Sequence, residues 1–164
     1  MTVAARLCAD MGTLLEQEQE QLSVLLSVLQ AERDALTVRD TDTLSAVAGQ
    51  KQAIMATLES SHTTRLKLMQ LARMPAEEQS FEQILGLCEQ TSGGLAELWQ
   101  RTRSLLEACQ QQNQGNGVLL ESSRRATHEA LSILLGYPAE PLNLYDIAGK
   151  TTASQFGGSR SVKA

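Results

Sequence analysis

Asn113-Gln-Gly-Asn-Gly-Val-Leu-Leu120 decides how this chain is read. Asn-Gly and Gly-Asn pairs ordinarily signal turns. The flanks argue against a turn here. Trp99, Thr102, Leu106, Cys109, Asn113, Asn116, Leu120, Ser123, Thr127, Ala130 and Leu134 alternate spacings of three and four without a break. Leu98, Leu105, Leu119 and Ile133 form a second row beside them. A single continuous helix satisfies this pattern, with Asn116 along the middle of the apolar stripe and Asn113 at its flank. Two glycines in a helix interior cost about 1 kcal/mol each against alanine. Their presence implies a specific reason: close approach of another helix, a fixed register, or a partner seated there.

Working outward, this helix is expected over about 95–135, stopped by Leu135-Gly136 and preceded by a break at Thr91-Ser-Gly-Gly94. Upstream, Phe81, Ile84, Leu85 and Cys88 give one apolar face to a helix over about 76–91. Its first turn, Pro75-Ala-Glu-Glu, suits a helix N-terminus. Met74-Pro75 ends a helix over about 43–72 that carries Leu44, Val47, Ile54, Leu58, Leu66, Leu68 and Leu71. Thr41 or Asp42 is its expected N-cap. The first helix spans about 3–38, with Cys8, Leu15, Leu22, Leu29 and Leu36 recurring every seven residues. The companion row is interrupted by Gly12, Glu18 and Arg33, which favours an antiparallel bundle over a two-stranded zipper.

The expected fold is therefore all-α: an elongated antiparallel helical hairpin or bundle of three to four helices over residues 1–136. Residues 137–164, rich in Gly, Ser, Thr and Pro, read as a flexible tail. Leu142-Asn-Leu-Tyr-Asp-Ile147 stands out within it, either as a docking motif for a partner or as a segment that folds back on the bundle.

Composition agrees. Hydrophobic residues make up 42% but aromatics only 3%, so leucine and alanine build the core. The net charge of −5 disfavours generic binding to nucleic acid or to an anionic membrane. No apolar run approaches the ~18–20 residues of a membrane span. The N-terminus lacks the apolar stretch of a signal peptide. Cys8, Cys88 and Cys109 are far apart, lack Cys-x-x-Cys spacing, and read as reduced thiols of a cytosolic protein.

Catalytic signals are weak. His62 and His128 are the only histidines, and neither lies at metal-ligand spacing from Cys, Asp or His. Neither matches the His-x-x-Lys-Gly pattern of phosphotransfer bundles. Gly93-Gly94 and Gly157-Gly158 lack the Lys-Ser/Thr of a phosphate loop. No enzyme activity, cofactor or metal is expected. What remains are recognition surfaces. Trp99 is either a core anchor or a binding hot spot. Asn113 and Asn116 are either an inter-helix device that fixes register or a polar clamp for an incoming helix. A self-assembling coiled-coil scaffold is the alternative to a binding protein.

The whole chain resembles the FlgN-type flagellar export chaperones. The resemblance rests on the first helical hairpin with its Arg39-Asp-Thr-Asp-Thr-Leu44 turn, and on Lys51 and the Leu98-Trp-Gln100 entry to the last helix. It continues through Asn113-x-x-Asn116-Gly117-x-Leu-Leu120 and the tail. There Leu144-Tyr145-Asp146-Ile-Ala-Gly149 corresponds to a Leu-Tyr-Gly-x-x-Gly-like element, with Asp146 replacing the usual glycine, and Phe156-Gly-Gly-Ser-Arg-Ser-Val-Lys163 gives the basic end.

Such a resemblance implies a cytoplasmic, non-enzymatic chaperone. It implies binding to hook-associated proteins 1 and 3, whose amphipathic C-terminal segments would otherwise associate prematurely. It implies delivery to the type III export apparatus, with the tail engaging the export gate and ATPase machinery. Neither nucleic acid nor direct membrane insertion belongs to this role. The partner-binding residues expected are Trp99, Asn113, Asn116, Gly117 and Leu120 on the last helix, and Tyr145 and Gly149 in the tail.

Overall fold

The structure, a computed structural model, describes residues 3–90 and 93–136. Among these residues it is all-α and contains four helices: α1 (Val3–Val38), α2 (Thr41–Leu71), α3 (Glu78–Glu89) and α4 (Leu95–Leu135). The chain divides into two compact units, residues 1–123 and 124–164. The tail from residue 137, including Tyr145 and Gly149, lies outside the described residues, as do Thr91 and Ser92.

In the first unit the leucine row of α1 faces inward. Cys8, Leu15, Leu22 and Leu29 are buried, whereas Leu36 is half-buried near the helix end. Two residues that interrupt the companion row have structural roles. Glu18 is buried and pairs with Arg65 of α2. Gly12 admits Leu95, whose Cδ2 would lie 3.2 Å from an added Cβ.

α1 and α2 form an antiparallel hairpin, as Lys51–Glu32 and Arg65–Glu18 pairs show. Its turn is set by backbone chemistry. Asp40 N–H donates to the Ala35 carbonyl, and Arg39 takes a left-handed conformation with φ 59°. Asp40 then caps α2 by accepting from the backbone N–H groups of Asp42 and Thr43 and from the Thr43 hydroxyl. The Thr43 hydroxyl, then its N–H, holds the Asp40 carboxyl below its ordinary pKa. The cap is thus Asp40, one residue before the expected Thr41 or Asp42, because Asp40 carries the extended backbone that aims its carboxylate at free N–H groups. α2 closes the same way, with Met74 N–H donating to Met69 and Arg73 at φ 57°.

α3 is shorter than the expected 76–91. Glu77 is extended at its N-cap, so Pro75 and Ala76 belong to the connection and not to the first turn. Phe81, Ile84, Leu85 and Cys88 of α3 join Cys8, Met11, Leu14, Leu15, Leu68, Met69 and Leu95 in one apolar cluster. A second cluster unites Leu22, Leu25, Val28, Leu29, Val47, Ile54 and Cys109.

The cysteine expectation is corrected here. Cys8 and Cys88 form a disulfide with Cα atoms 5.4 Å apart, and Cys109 alone is a free thiol. A chain separation of 80 residues hides such a pair from spacing arguments. Docking α3 against α1 brings the two together.

α4 runs parallel to α1 through the first unit. Leu95 meets Gly12, Cys109 Sγ lies 3.4 Å from the Leu22 carbonyl oxygen, and Asn116 reaches Leu29. The helix passes unbroken through Asn113–Leu120. Its N-terminus is capped from another helix. The Glu89 carboxylate, at the end of α3, accepts from the N–H groups of Gly94 (2.7 Å) and Ala96 (3.1 Å). These bonds, Gly94 first, hold the Glu89 carboxyl below its ordinary pKa. Gly94 sits at φ +94°, which only glycine adopts without strain. The described part of the second unit is the end of α4, terminated by Gly136 at φ +72°, with Leu131, Ile133, Leu134 and Leu135 exposed.

Candidate functional site

The stripe on α4 divides into an inward row and an exposed row. Thr102, Cys109 and Asn116 are buried. Leu106 and Leu120, on the adjoining face, stay 44% and 56% exposed, and Asn113 and Gly117 are exposed with them. Trp99 is half-buried between the two.

Asn116 anchors a polar node. Its Nδ2 donates to the Leu29 carbonyl oxygen and to Glu32 Oε2, each at 2.8 Å, while its buried Oδ1 has no hydrogen-bond partner. Glu32 also accepts from Lys51 Nζ at 3.2 Å, and Lys51 donates to Asn113 Oδ1 at 2.6 Å. One node therefore ties α1, α2 and α4 at a fixed level. Gly115 reflects a close approach, since an added Cβ would lie 3.2 Å from the Arg33 guanidinium. Gly117 faces open space, so packing among the described residues does not account for it.

One helical turn after another toward the α3 end, the node gives way to an apolar cleft of about 550 Å³. Its floor is Leu22 and Leu25 of α1, one wall is Met55 and Leu58 of α2, and the other is Trp99 and Leu106 of α4. Met55 is 45% exposed. Two further clefts adjoin Trp99, bounded by α3 residues Glu78, Phe81 and Glu82 and by Arg103.

Trp99 itself is held by several groups. Its ring meets Phe81 edge-on at 5.0 Å, and the Arg65 guanidinium carbon lies 4.9 Å from both ring centroids. The indole N–H donates to Glu82 Oε1 at 3.3 Å. Arg65 in turn pairs with Glu18. Aromatic and cation–π contacts of this kind contribute about 0.5–1.5 kcal/mol each, enough to fix the ring without sealing the cleft.

Trp99, Leu106, Asn113, Gly117 and Leu120 thus share one side of α4, whereas Asn116 turns toward α1. Met55, Leu58 and Arg65, with His62, were not singled out as site residues. Their spacing of three, four and three on α2 carries the signal. A repeat shows a face, but not that its partner helix leaves it uncovered.

Chemical reactivity is sparse. Burial pushes the Cys109 thiol pKa up, away from thiolate chemistry. Among the described residues no group of three or more His, Cys, Asp or Glu is placed to hold a metal ion. No helix among them is long and apolar enough to cross a membrane.

A family model described as FlgN protein matches residues 7–153. No curated protein and no solved structure matches the chain.

Proposed function

The chain belongs to the FlgN family of flagellar export chaperones, and from that premise we propose that it holds hook–filament junction proteins before export. The cargo is hook-associated protein 1 or 3, bound through its amphipathic C-terminal helical segment in the cytoplasm. The open cleft of Leu22, Leu25, Met55, Leu58, Trp99 and Leu106 is the observation that carries this reading. It lies between α2 and α4 and has an apolar floor and an aromatic anchor, features that helix-in-groove recognition uses. Covering the cargo's apolar face prevents its premature self-association without any chemistry.

In this reading Trp99 and Leu106 anchor the cargo, and Gly117 and Leu120 extend the track along α4. Asn113 presents its exposed amide beside Lys51. Asn116 sets the register of the helices that form the cleft. The tail residues Tyr145 and Gly149 engage the export gate and ATPase machinery. Deleting residues 137–164 should then spare cargo binding and impair export.

The direct test is size exclusion with light scattering on mixtures with C-terminal segments of the two junction proteins. A discrete soluble complex is expected. The exposed Leu131, Ile133, Leu134 and Leu135 favour a second reading, a self-assembling scaffold. A stable self-oligomer that binds neither segment would support it and overturn the first.

A further inference from the structure

We propose that Cys8 and Cys88 are a redox latch: as a disulfide they lock α3 onto α1, and as thiols they let α3 lift from its apolar seat. The inference does not depend on the nature of the cargo.

α3 is built to detach. Its twelve residues are too few to hold a helix in isolation. On one side lies the non-helical Met74–Glu77 connection, and Glu77 makes no side-chain cap. On the other side the chain turns at Gly93-Gly94, with Gly94 at positive φ. Its polar attachments to α4 are solvated. Arg103 pairs with Glu78 and Glu82 while all three side chains are at least 44% exposed. Exposed pairs of this kind add little. The bonds from the Gly94 and Ala96 N–H groups to Glu89 and from the Trp99 indole to Glu82 are exposed as well. The main hold on α3 is therefore the burial of Phe81, Ile84, Leu85 and Cys88, with the covalent link from Cys88 to Cys8.

The chemistry follows from burial. Cys8 and Cys88 are 5% and 2% exposed, so no external thiol or disulfide reaches them while α3 is docked. With α3 lifted, one cysteine thiolate attacks a sulfur of a small disulfide such as oxidised glutathione. A mixed disulfide forms, and one glutathione thiolate leaves. Redocking brings the second cysteine against the protein sulfur of that mixed disulfide. Its thiolate displaces the second glutathione and closes Cys8–Cys88. Two protein thiols have lost two protons and two electrons, and one glutathione disulfide has become two thiols. Reduced glutathione runs the same steps backward, entering through the transient local openings of α3 that expose the closed disulfide, so this direction is the slower one.

A closed latch fixes Glu78, Phe81 and Glu82 as a wall of the clefts beside Trp99. An open latch frees that wall and bares Met11, Leu15, Met69 and Leu95 beneath it. In a thiol-reducing compartment the open form is favoured, and oxidation closes it.

The test uses the full-length chain equilibrated in reduced or in oxidised glutathione, with no substitution needed. Maleimide labelling after denaturation should count three thiols in the first sample and one in the second, since only Cys109 is free in the disulfide form. Peptide-resolved hydrogen exchange should show residues 78–89 exchanging at least about tenfold faster when reduced, with the centres of α1 and α2 unchanged. Cys8→Ser should give the fast pattern in both buffers, and Cys109→Ser should still switch. Equal α3 exchange in the two buffers, or three thiols persisting under oxidised glutathione, overturns the proposal.

Discussion

Asn116 and Leu29 are joined by a hydrogen bond from a buried side-chain amide to a helix carbonyl, 2.8 Å long and 87 residues apart in the chain. One polar side chain in the apolar stripe therefore defines where α4 sits along α1. The bond is incomplete in its benefit, because Asn116 Oδ1 is buried without a partner. An orphaned acceptor costs about 1–3 kcal/mol. Asn116→Leu should consequently be neutral or stabilising by about 1 kcal/mol in urea unfolding, whereas Asn116→Ala, which also leaves a void, should lose about 1–3 kcal/mol. Cargo binding should survive the leucine variant. Lost binding with an intact fold would return Asn116 to a role in contacting cargo.

The Glu18–Arg65 pair makes the opposite prediction. Glu18 is 4% exposed, so Arg65→Met strands a buried carboxylate. Removing one partner of a buried pair costs about 3–5 kcal/mol. Because the Arg65 side chain keeps 20% exposure, the lower end, about 3 kcal/mol, is expected. Adding Glu18→Leu should recover most of it. A single-variant loss below about 1 kcal/mol would mean that water reaches the carboxylate.

The cleft can be tested without disturbing the core. Leu106 and Met55 are 44% and 45% exposed, so Leu106→Glu or Met55→Glu should shift unfolding by no more than about 0.5 kcal/mol. If cargo lies there, its affinity should fall about tenfold or more, because a carboxylate then faces an apolar helix. Calorimetric titration with the junction-protein segments reads this out. Unchanged affinity in both variants would move the cargo to another face.

Arg39 and Arg73 take left-handed backbone conformations at the ends of α1 and α2. A side chain there costs roughly 1–2 kcal/mol, which glycine avoids while adding disorder to the unfolded chain. Arg39→Gly should raise stability by about 1 kcal/mol, and its melting temperature by a few degrees. A lower melting temperature would show that the arginine side chain contributes contacts that outweigh the strain.

The periodic signals in the sequence correspond to what the backbone does locally. The heptad row of α1 and the three-and-four spacing through Asn113–Leu120 depend only on helix pitch, and both are present. What depended on the meeting of distant segments was not legible. Glu18 looked like a defect in an apolar row because Arg65 lies 47 residues away. Cys8 and Cys88 looked unpaired for the same reason. Leu106 fell in the stripe and yet is exposed, since periodicity gives a side chain's direction but not whether a neighbour covers it. The cap at Asp40 was missed by one residue because Asp40, Thr41, Asp42 and Thr43 can all accept from a helix terminus, and only the backbone conformation chooses among them.

Cys109 meets Leu22 and Asn116 meets Leu29, so both contacts span the same 87 residues and are themselves seven residues apart on each helix. α1 and α4 consequently advance in step, like two rulers with matching marks. A shift of α4 breaks the Asn116 bonds to the Leu29 carbonyl and to Glu32 and moves Cys109 off Leu22 at the same time. Sliding of α4 along α1 is thus opposed at two levels at once, one heptad or about 10 Å apart. The α1 floor and the α4 wall of the cleft are thereby held at one fixed offset along their length.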